Sequence, residues 1–169
     1  MPPPPPAPRV LYLFGTAAFP VLGIRTVIEQ AQAAGWDVCL GLTSTAADWL
    51  APDIPALTEL TGHLVKARYR RPGEPDLLPA PDAILFGPAT FNSINSLAQG
   101  LTSSWVVGYT AEALGKGVPV AVLPCVNDAL AAHPQYPRSL ATLREAGARV
   151  LLPTPDLPWS QALVEVGGP

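Results

Sequence analysis

The sequence predicts an α/β fold, a mainly parallel sheet with helices on both faces. Three observations lead there. Short, continuously apolar runs recur along the chain, among them "RVLYLFG" (9–15), "DAILFGP" (82–88) and "VPVAVLP" (118–124). Segments with helical spacing alternate with them, the order expected of β–α–β units whose strands are covered on both sides. The chain has 169 residues, 49% of them hydrophobic, which suits one domain with a sizeable core.

Taken in order, "MPPPPPAP" (1–8) reads as a disordered leader, because proline cannot donate ladder hydrogen bonds. Residues 9–15 form the first expected strand, and 20–34 a helix closed by Gly35. "WDVCLGLT" (36–43) is a second strand; 45–60 is a helix broken by Pro52 and Pro55. "HLVKARY" (63–69) is read as a third strand and 82–88 as a fourth, followed by helices at 92–100 and 104–114. A fifth strand at 118–124, a helix at 136–146 and a sixth strand, "ARVLLP" (148–153), complete a domain spanning 9–153. The tail, 154–169, is short and weakly patterned. This is the pattern of a Rossmann-like or flavodoxin-like three-layer sandwich.

The apolar stretch 10–24 resembles the core of a signal peptide, but it is too short to span a bilayer and holds Gly15 and Pro20. It continues into an amphipathic helix carrying Arg25 and Glu29 instead of a cleavage site, so the expectation is no export and a cytoplasmic location. A net charge of −3 argues against nucleic acid or an anionic membrane as partner. Only 14% of residues are charged, which points to surface covered by other copies of the chain. The basic run Lys66–Arg71 is read as a solvated strand end. Cys39 and Cys125 lie in apolar runs and are read as reduced thiols. His63 and His133 have no partner at ligand spacing, so no metal site is expected.

In an open parallel sheet, ligands bind beyond the carboxyl ends of the strands. Four strand ends read "GTAA" (15–18), "TSTA" (43–46), "PATFNS" (88–93) and "PCVND" (124–128). Hydroxyls, amides and free backbone N–H groups suit either a phosphorylated ligand at helix N-termini or plain helix capping. Asn92 and Asn127 recur four and three residues after Pro88 and Pro124, and an amide can both donate to and accept from a flat heteroaromatic ligand. No G-x-G-x-x-G follows the first strand, and neither a P-loop nor a G-x-S-x-G motif is present. A dinucleotide, a nucleotide hydrolase and a serine hydrolase are therefore disfavoured.

"PATFNSINSLAQGLTSSWV" (88–106) resembles the PASANT-type segment of the homo-oligomeric flavin-containing cysteine decarboxylases. That family includes phosphopantothenoylcysteine decarboxylase and the lantibiotic peptidyl-cysteine decarboxylases. "PCVNDALA" (124–131) is similar to the family's P-x-M-N-x-x-M-W motif, and "HPQYPRSLATLREAGARVLLP" to the proline, helix, glycine and last strand that follow it. The resemblance implies FMN as cofactor, with Gly15 and Thr16 in the first flavin-contacting loop and Thr43 and Thr45 at the phosphate. Thr90, Phe91, Asn92 and Ser93 would line the ribityl chain and ring, Cys125 would lie near the flavin, and Asn127 would face a substrate carboxylate.

It further implies a trimer or dodecamer with the flavin at a subunit interface, and oxidative decarboxylation of a cysteine end, on a peptide or a small conjugate, to an enethiol. Three departures accompany the likeness. The family's catalytic histidine lies fourteen residues before the proline of the PASANT-type segment, and here that position is Glu74. Val126, Leu130 and Ala131 replace the methionines and tryptophan of the second motif. The cysteine-containing C-terminal segment of phosphopantothenoylcysteine decarboxylase has no counterpart after Pro153. Glu74 could act as the base in its place. The alternatives are an FMN-binding member without the catalytic histidine, serving another redox or a regulatory role, and a flavin prenyltransferase.

Overall fold

The computed structural model describes residues 7–152 and 159–167; the leader at 1–6 and the stretches 153–158 and 168–169 lie outside the described residues. The chain runs β1 (Arg9–Gly15), a 3-10 turn (Phe19–Gly23), α1 (Ile24–Ala33), β2 (Trp36–Leu42), α2 (Ser44–Trp49) and α3 (Ile54–Thr61). After a long irregular segment it continues with β3 (Ala83–Ala89), α4 (Phe91–Gln99), α5 (Trp105–Gly115), β4 (Val120–Pro124) and α6 (Asp128–Ala131). It ends with α7 (Gln135–Glu145), β5 (Arg149–Val150) and α8 (Trp159–Glu165).

All five strands are parallel, in the order β2-β1-β3-β4-β5. This is the flavodoxin-like order. The chain leaves β1 toward β2 on one side and returns to place β3 on the other, so the switch point lies at the carboxyl ends of β1 and β3.

Strand alternation divides the core into two layers. Leu11, Leu13, Val38, Leu40 and Leu85 face one side, where Ile24, Val27, Ile28 and Ala31 of α1 supply an apolar stripe. Tyr12, Phe14, Ile84, Phe86 and Val122 face the other, against Ile94 and Leu97 of α4, Val106 of α5 and Leu140 and Leu143 of α7. Each such side chain contributes about 1.5–3 kcal/mol on burial, and these two layers hold the strand ends in place.

Three expectations change. "HLVKARY" does not form a strand: it meets β2 through one parallel bridge, Gly41 to Lys66. Beyond Lys66 the chain turns away, because Tyr69 hydrogen-bonds to the start of α5 instead of extending the ladder. The sixth expected strand shortens to Arg149–Val150, continued only by the Leu151 N–H on the Val122 carbonyl. The weakly patterned tail carries α8, whose Ala162 and Leu163, with Val166 just beyond it, enter the first core layer. Among the described residues, no helix is long and apolar enough to cross a membrane.

Candidate functional site

The β1 end sets the floor of the site. A Cβ on Gly15 would lie 2.9 Å from Val21 Cγ2 and 3.0 Å from Leu42 Cδ2, so only glycine lets β1, β2 and the following turn close together. Thr16 is buried, and its hydroxyl is fully engaged. It donates to the Pro88 carbonyl at 2.7 Å and accepts from the Thr90 N–H at 2.9 Å. Thr16 thereby fixes the β3–α4 turn, whose Gly87–Pro88 peptide bond is cis.

Two helices start at this floor. Thr43 caps α2, its Oγ1 accepting from Ala46 N–H at 3.4 Å; Thr90 caps α4, accepting from Ser93 N–H at 3.3 Å. The Thr90 hydroxyl donates to Ser93 Oγ at 3.1 Å, which aligns the two hydroxyls. First-turn N–H groups have no acceptor within their own helix and carry the positive end of its dipole.

Between these helix starts lies a cavity of about 220 Å³. Thr43, Ser44 and Thr45 form one wall, Asn92, Ser93 and Ser96 of α4 a second, and Ser103 and Ser104 a third. Among the described residues no charged side chain lines it, and Val107 is the one apolar member. Such a set of neutral donors fits a phosphate group held by hydroxyls and helix N-termini. The sequence reading named Thr43, Thr45, Asn92 and Ser93, and the fold brings these four together. It did not name Ser96, Ser103 or Ser104, which lie away from any strand end and reach the cavity through the α4–α5 connection.

The β4 end forms a neighbouring group. The Cys125 N–H donates to the Ala89 carbonyl at 2.9 Å, tying this turn to the β3 end. Burial pushes the Cys125 thiol up, so at neutral pH it is a protonated thiol, not a thiolate nucleophile. Asn127 caps α6, its Oδ1 accepting from Leu130 N–H at 2.9 Å, and its amide NH₂ remains able to donate. Phe91 packs edge-on against His133, ring centres 5.5 Å apart, with Tyr136 at 6.4 Å. His133 thus belongs to this neighbourhood, which its position in the sequence did not indicate. Its Nδ1 accepts from the Gln135 N–H at 3.1 Å, which leaves Nε2 as the protonated nitrogen of the neutral ring. His63 instead pairs with Asp37 at 2.7 Å, near the amino end of β2.

Glu74 is not brought to the cradle of its own chain. It is exposed, and its carboxylate accepts from the Arg71 N–H at 2.9 Å within a turn of the segment between α3 and β3. It lines a separate cavity of about 440 Å³ formed by that segment. The basic run, read as a solvated strand end, contributes Lys66, Arg70 and Arg71 to a third cavity of about 680 Å³, with Lys116 opposite. Lys66 lies over the Trp105 ring at 4.5 Å.

A five-stranded parallel sheet in flavodoxin-like order, with an uncharged hydroxyl cradle beyond its strand ends, places the chain in the class of open, doubly wound α/β proteins. Within that class, residues 7–165 match the family model described as Flavoprotein, and the chain belongs to the Flavoprotein family. No curated protein matches it significantly. Solved structures with the same fold include the FMN-dependent cysteine decarboxylase SpaF, at a TM-score of 0.76 and 20% identity over 96% of this chain and 99% of that one. The peptidyl-cysteine decarboxylase EpiD matches at a TM-score of 0.72 and 20% identity, covering 93% and 97%. AnUbiX (PadA1), in complex with FMN and dimethylallyl pyrophosphate, matches at 0.76 and 12% identity, covering 94% and 92%.

Proposed function

We propose that this chain binds FMN and carries out the oxidative decarboxylation of a cysteine end, on a peptide or a small conjugate. The observation that carries the reading is the uncharged hydroxyl cradle at the β1/β3 switch point. Thr43, Thr45, Asn92 and Ser93 would hold the phosphate and the adjoining ribityl chain, and Thr90, Phe91 and Cys125 would border the rest of the cofactor. Gly15 and Thr16 would act from beneath, by close approach and by fixing the turn.

FMN, when bound, supplies a two-electron acceptor. The net change in the substrate is loss of CO₂ and two hydrogens, leaving an enethiol. The Asn127 NH₂ would donate to the substrate carboxylate while its oxygen stays on the α6 cap. A proton must also leave the thiol, which requires a base. Glu74 stands at the family's histidine position and would be that base; brought beside a substrate carboxylate, its own carboxylate would repel it where a histidine need not. Since Glu74 lies off its own chain's cradle, the reading includes a homo-oligomer, a trimer or dodecamer, in which the segment between α3 and β3 serves a neighbouring copy. His133, beside Phe91, is another titratable group close to the site. A cytoplasmic location accompanies this reading.

A second reading has its own support: the Glu74 carboxylate is already engaged with the Arg71 N–H. In that case the chain keeps FMN and assembly but performs other redox or regulatory work. The cavity at Lys66, Arg70, Arg71 and Lys116, where Asp76 and Glu112 offset part of the positive charge, also makes a phosphorylated second substrate worth testing, as for a prenyltransferase.

The test begins with the visible spectrum of the purified protein and the mass of the released chromophore. A flavin band with FMN released is expected. The loaded protein is then incubated with peptides ending in Cys, and the products are weighed. Loss of CO₂ plus two hydrogens supports decarboxylation. Unchanged peptides with FMN bound favour the second reading, and a gain of activity in Glu74→His would strengthen it. Turnover of dimethylallyl phosphate instead would move the protein to the prenyltransferases. A colourless protein that takes up no FMN refutes the cofactor assignment.

A further inference from the structure

The segment between α3 and β3 hydrogen-bonds to the backbone of the cradle's third wall through the Tyr69 hydroxyl. It donates to the Thr102 carbonyl at 2.7 Å and lies 3.3 Å from the Ser104 carbonyl. The Ser104 carbonyl also accepts the Gly108 N–H at 2.9 Å, so Tyr69 contacts the first turn of α5 where its ladder begins.

Gly108 is what admits the ring. A Cβ there would lie 1.8 Å from the Tyr69 oxygen and 3.0 Å from its Cζ, so the half-exposed Tyr69 side chain would have to leave this position. Ser104 is the N-cap residue of α5, yet its side chain makes no capping bond. Its hydroxyl is left available to the cradle that it lines. Tyr69 also lines the neighbouring charged cavity, with Thr102, Trp105 and Gly108 beside it.

We propose that Tyr69 is a positioning residue for the phosphate end of the cofactor: received by Gly108, it fixes the Thr102–Ser104 backbone so that the Ser103 and Ser104 hydroxyls face the cradle. This rests on the reading of that cradle as the FMN phosphate site. It also links the segment that carries Glu74 to the cofactor, because a bound phosphate and a docked Tyr69 favour the same arrangement of the α4–α5 connection, and such coupling is reciprocal.

The experiment compares FMN with riboflavin, which lacks the phosphate, by fluorescence titration of the full chain. The wild type is expected to prefer FMN. Tyr69→Phe keeps the ring and removes the hydrogen bonds; its FMN affinity should fall about three- to tenfold, the range for one or two neutral hydrogen bonds, with riboflavin affinity unchanged within about twofold. Gly108→Ala, which drives the ring out, should give the same loss of preference. Ser104→Ala should weaken FMN binding less in the Tyr69→Phe background than in the wild type, because the hydroxyl is already misplaced there. Equal weakening of both flavins, or unchanged FMN affinity in both Tyr69→Phe and Gly108→Ala, overturns the proposal. A wild type that binds FMN and riboflavin alike refutes the phosphate-cradle reading itself, a separate outcome visible before any variant is made.

Discussion

Thr16→Val isolates the bond that joins the β1 end to the β3–α4 turn. Valine preserves the shape of a fully buried side chain but can neither donate to Pro88 nor accept from Thr90. The Pro88 carbonyl keeps a partner, the Thr16 N–H at 3.2 Å. The Thr90 N–H loses its acceptor, and an unsatisfied donor of this kind costs about 1–3 kcal/mol. With a urea slope of about 2 kcal/mol/M for a chain of this size, the unfolding midpoint should drop by about 1 M. Thr16→Ser retains the hydroxyl and should recover most of the loss. FMN affinity should fall in the valine variant as well, since Thr90 and Ser93 stand on the released turn. Urea titration by far-UV circular dichroism, with flavin titration on the same samples, reads both effects. If the valine protein unfolds within about 0.2 M of the wild type, the claim that Thr16 fixes the turn is wrong.

Other perturbations separate packing, chemistry and ionisation. Gly41→Ala would set a methyl 2.5 Å from Phe14 Cδ1 and 2.7 Å from Trp105 Cζ3, and should cost about 1–3 kcal/mol or more in thermal or urea unfolding. Gly115→Ala, with no atom within 4 Å, should instead stabilise by up to about 1 kcal/mol. Asn127→Asp keeps a capping oxygen at the α6 N-terminus, so unfolding should barely change, while turnover of a Cys-ended peptide should fall at least tenfold through lost donation and added like charge; equal turnover would remove Asn127 from carboxylate binding. Burial, with a smaller contribution from Asp37, pushes the Cys39 thiol up to about 12, and burial likewise raises the Tyr12 phenol. The unfolded chain releases the thiol proton near its ordinary value, so this stabilisation is complete below about pH 8.5 and lost as pH rises toward 12. Urea midpoints measured across that window should fall, and Cys39→Ala should flatten the slope.

The fold was legible where local pattern and burial agree. The apolar runs that became β1, β2, β3 and β4 are covered on both faces, and the expected break in the helix at 45–60 falls at Pro52, between α2 and α3, while Pro55 is accommodated in the first turn of α3. At 63–69 the pattern misled: His63, Val65 and Ala67 alternate with longer side chains as in a strand, but the destination of Tyr69 is set by Gly108, a partner far along the chain. α8 was missed because a short helix next to prolines shows little periodicity by itself; its apolar face gains meaning only against α1 and β4. The site divided in the same way. Thr43, Thr45, Asn92 and Ser93 follow strands directly, and topology alone places them near a switch point. Ser103 and Ser104 precede a helix, where serine ordinarily caps, and only the absent cap bond of Ser104 in three dimensions sets it apart. His133 met Phe91 through the packing of α4 on α7, which spacing in the sequence does not encode.

The position of α8 bears on how the chain folds as it is made. Trp159 reaches to within 3.5 Å of where a Cβ would sit on Gly87, and Ala162, Leu163 and Val166 complete the layer that β1 and α1 begin. β1, made well before α8, is therefore among the last of the strands to gain its full cover. Until residues 159–167 emerge, the part of this face that α1 does not cover remains open to solvent, to chaperones and to other nascent copies. The residues that line the hydroxyl cradle lie between positions 43 and 107, over a floor set by the β1 end, and can take shape earlier. In this protein the ligand-binding end of the sheet can mature before its protective cover, so a cofactor that binds early would stabilise the partly synthesised domain during the interval when it is most prone to aggregate.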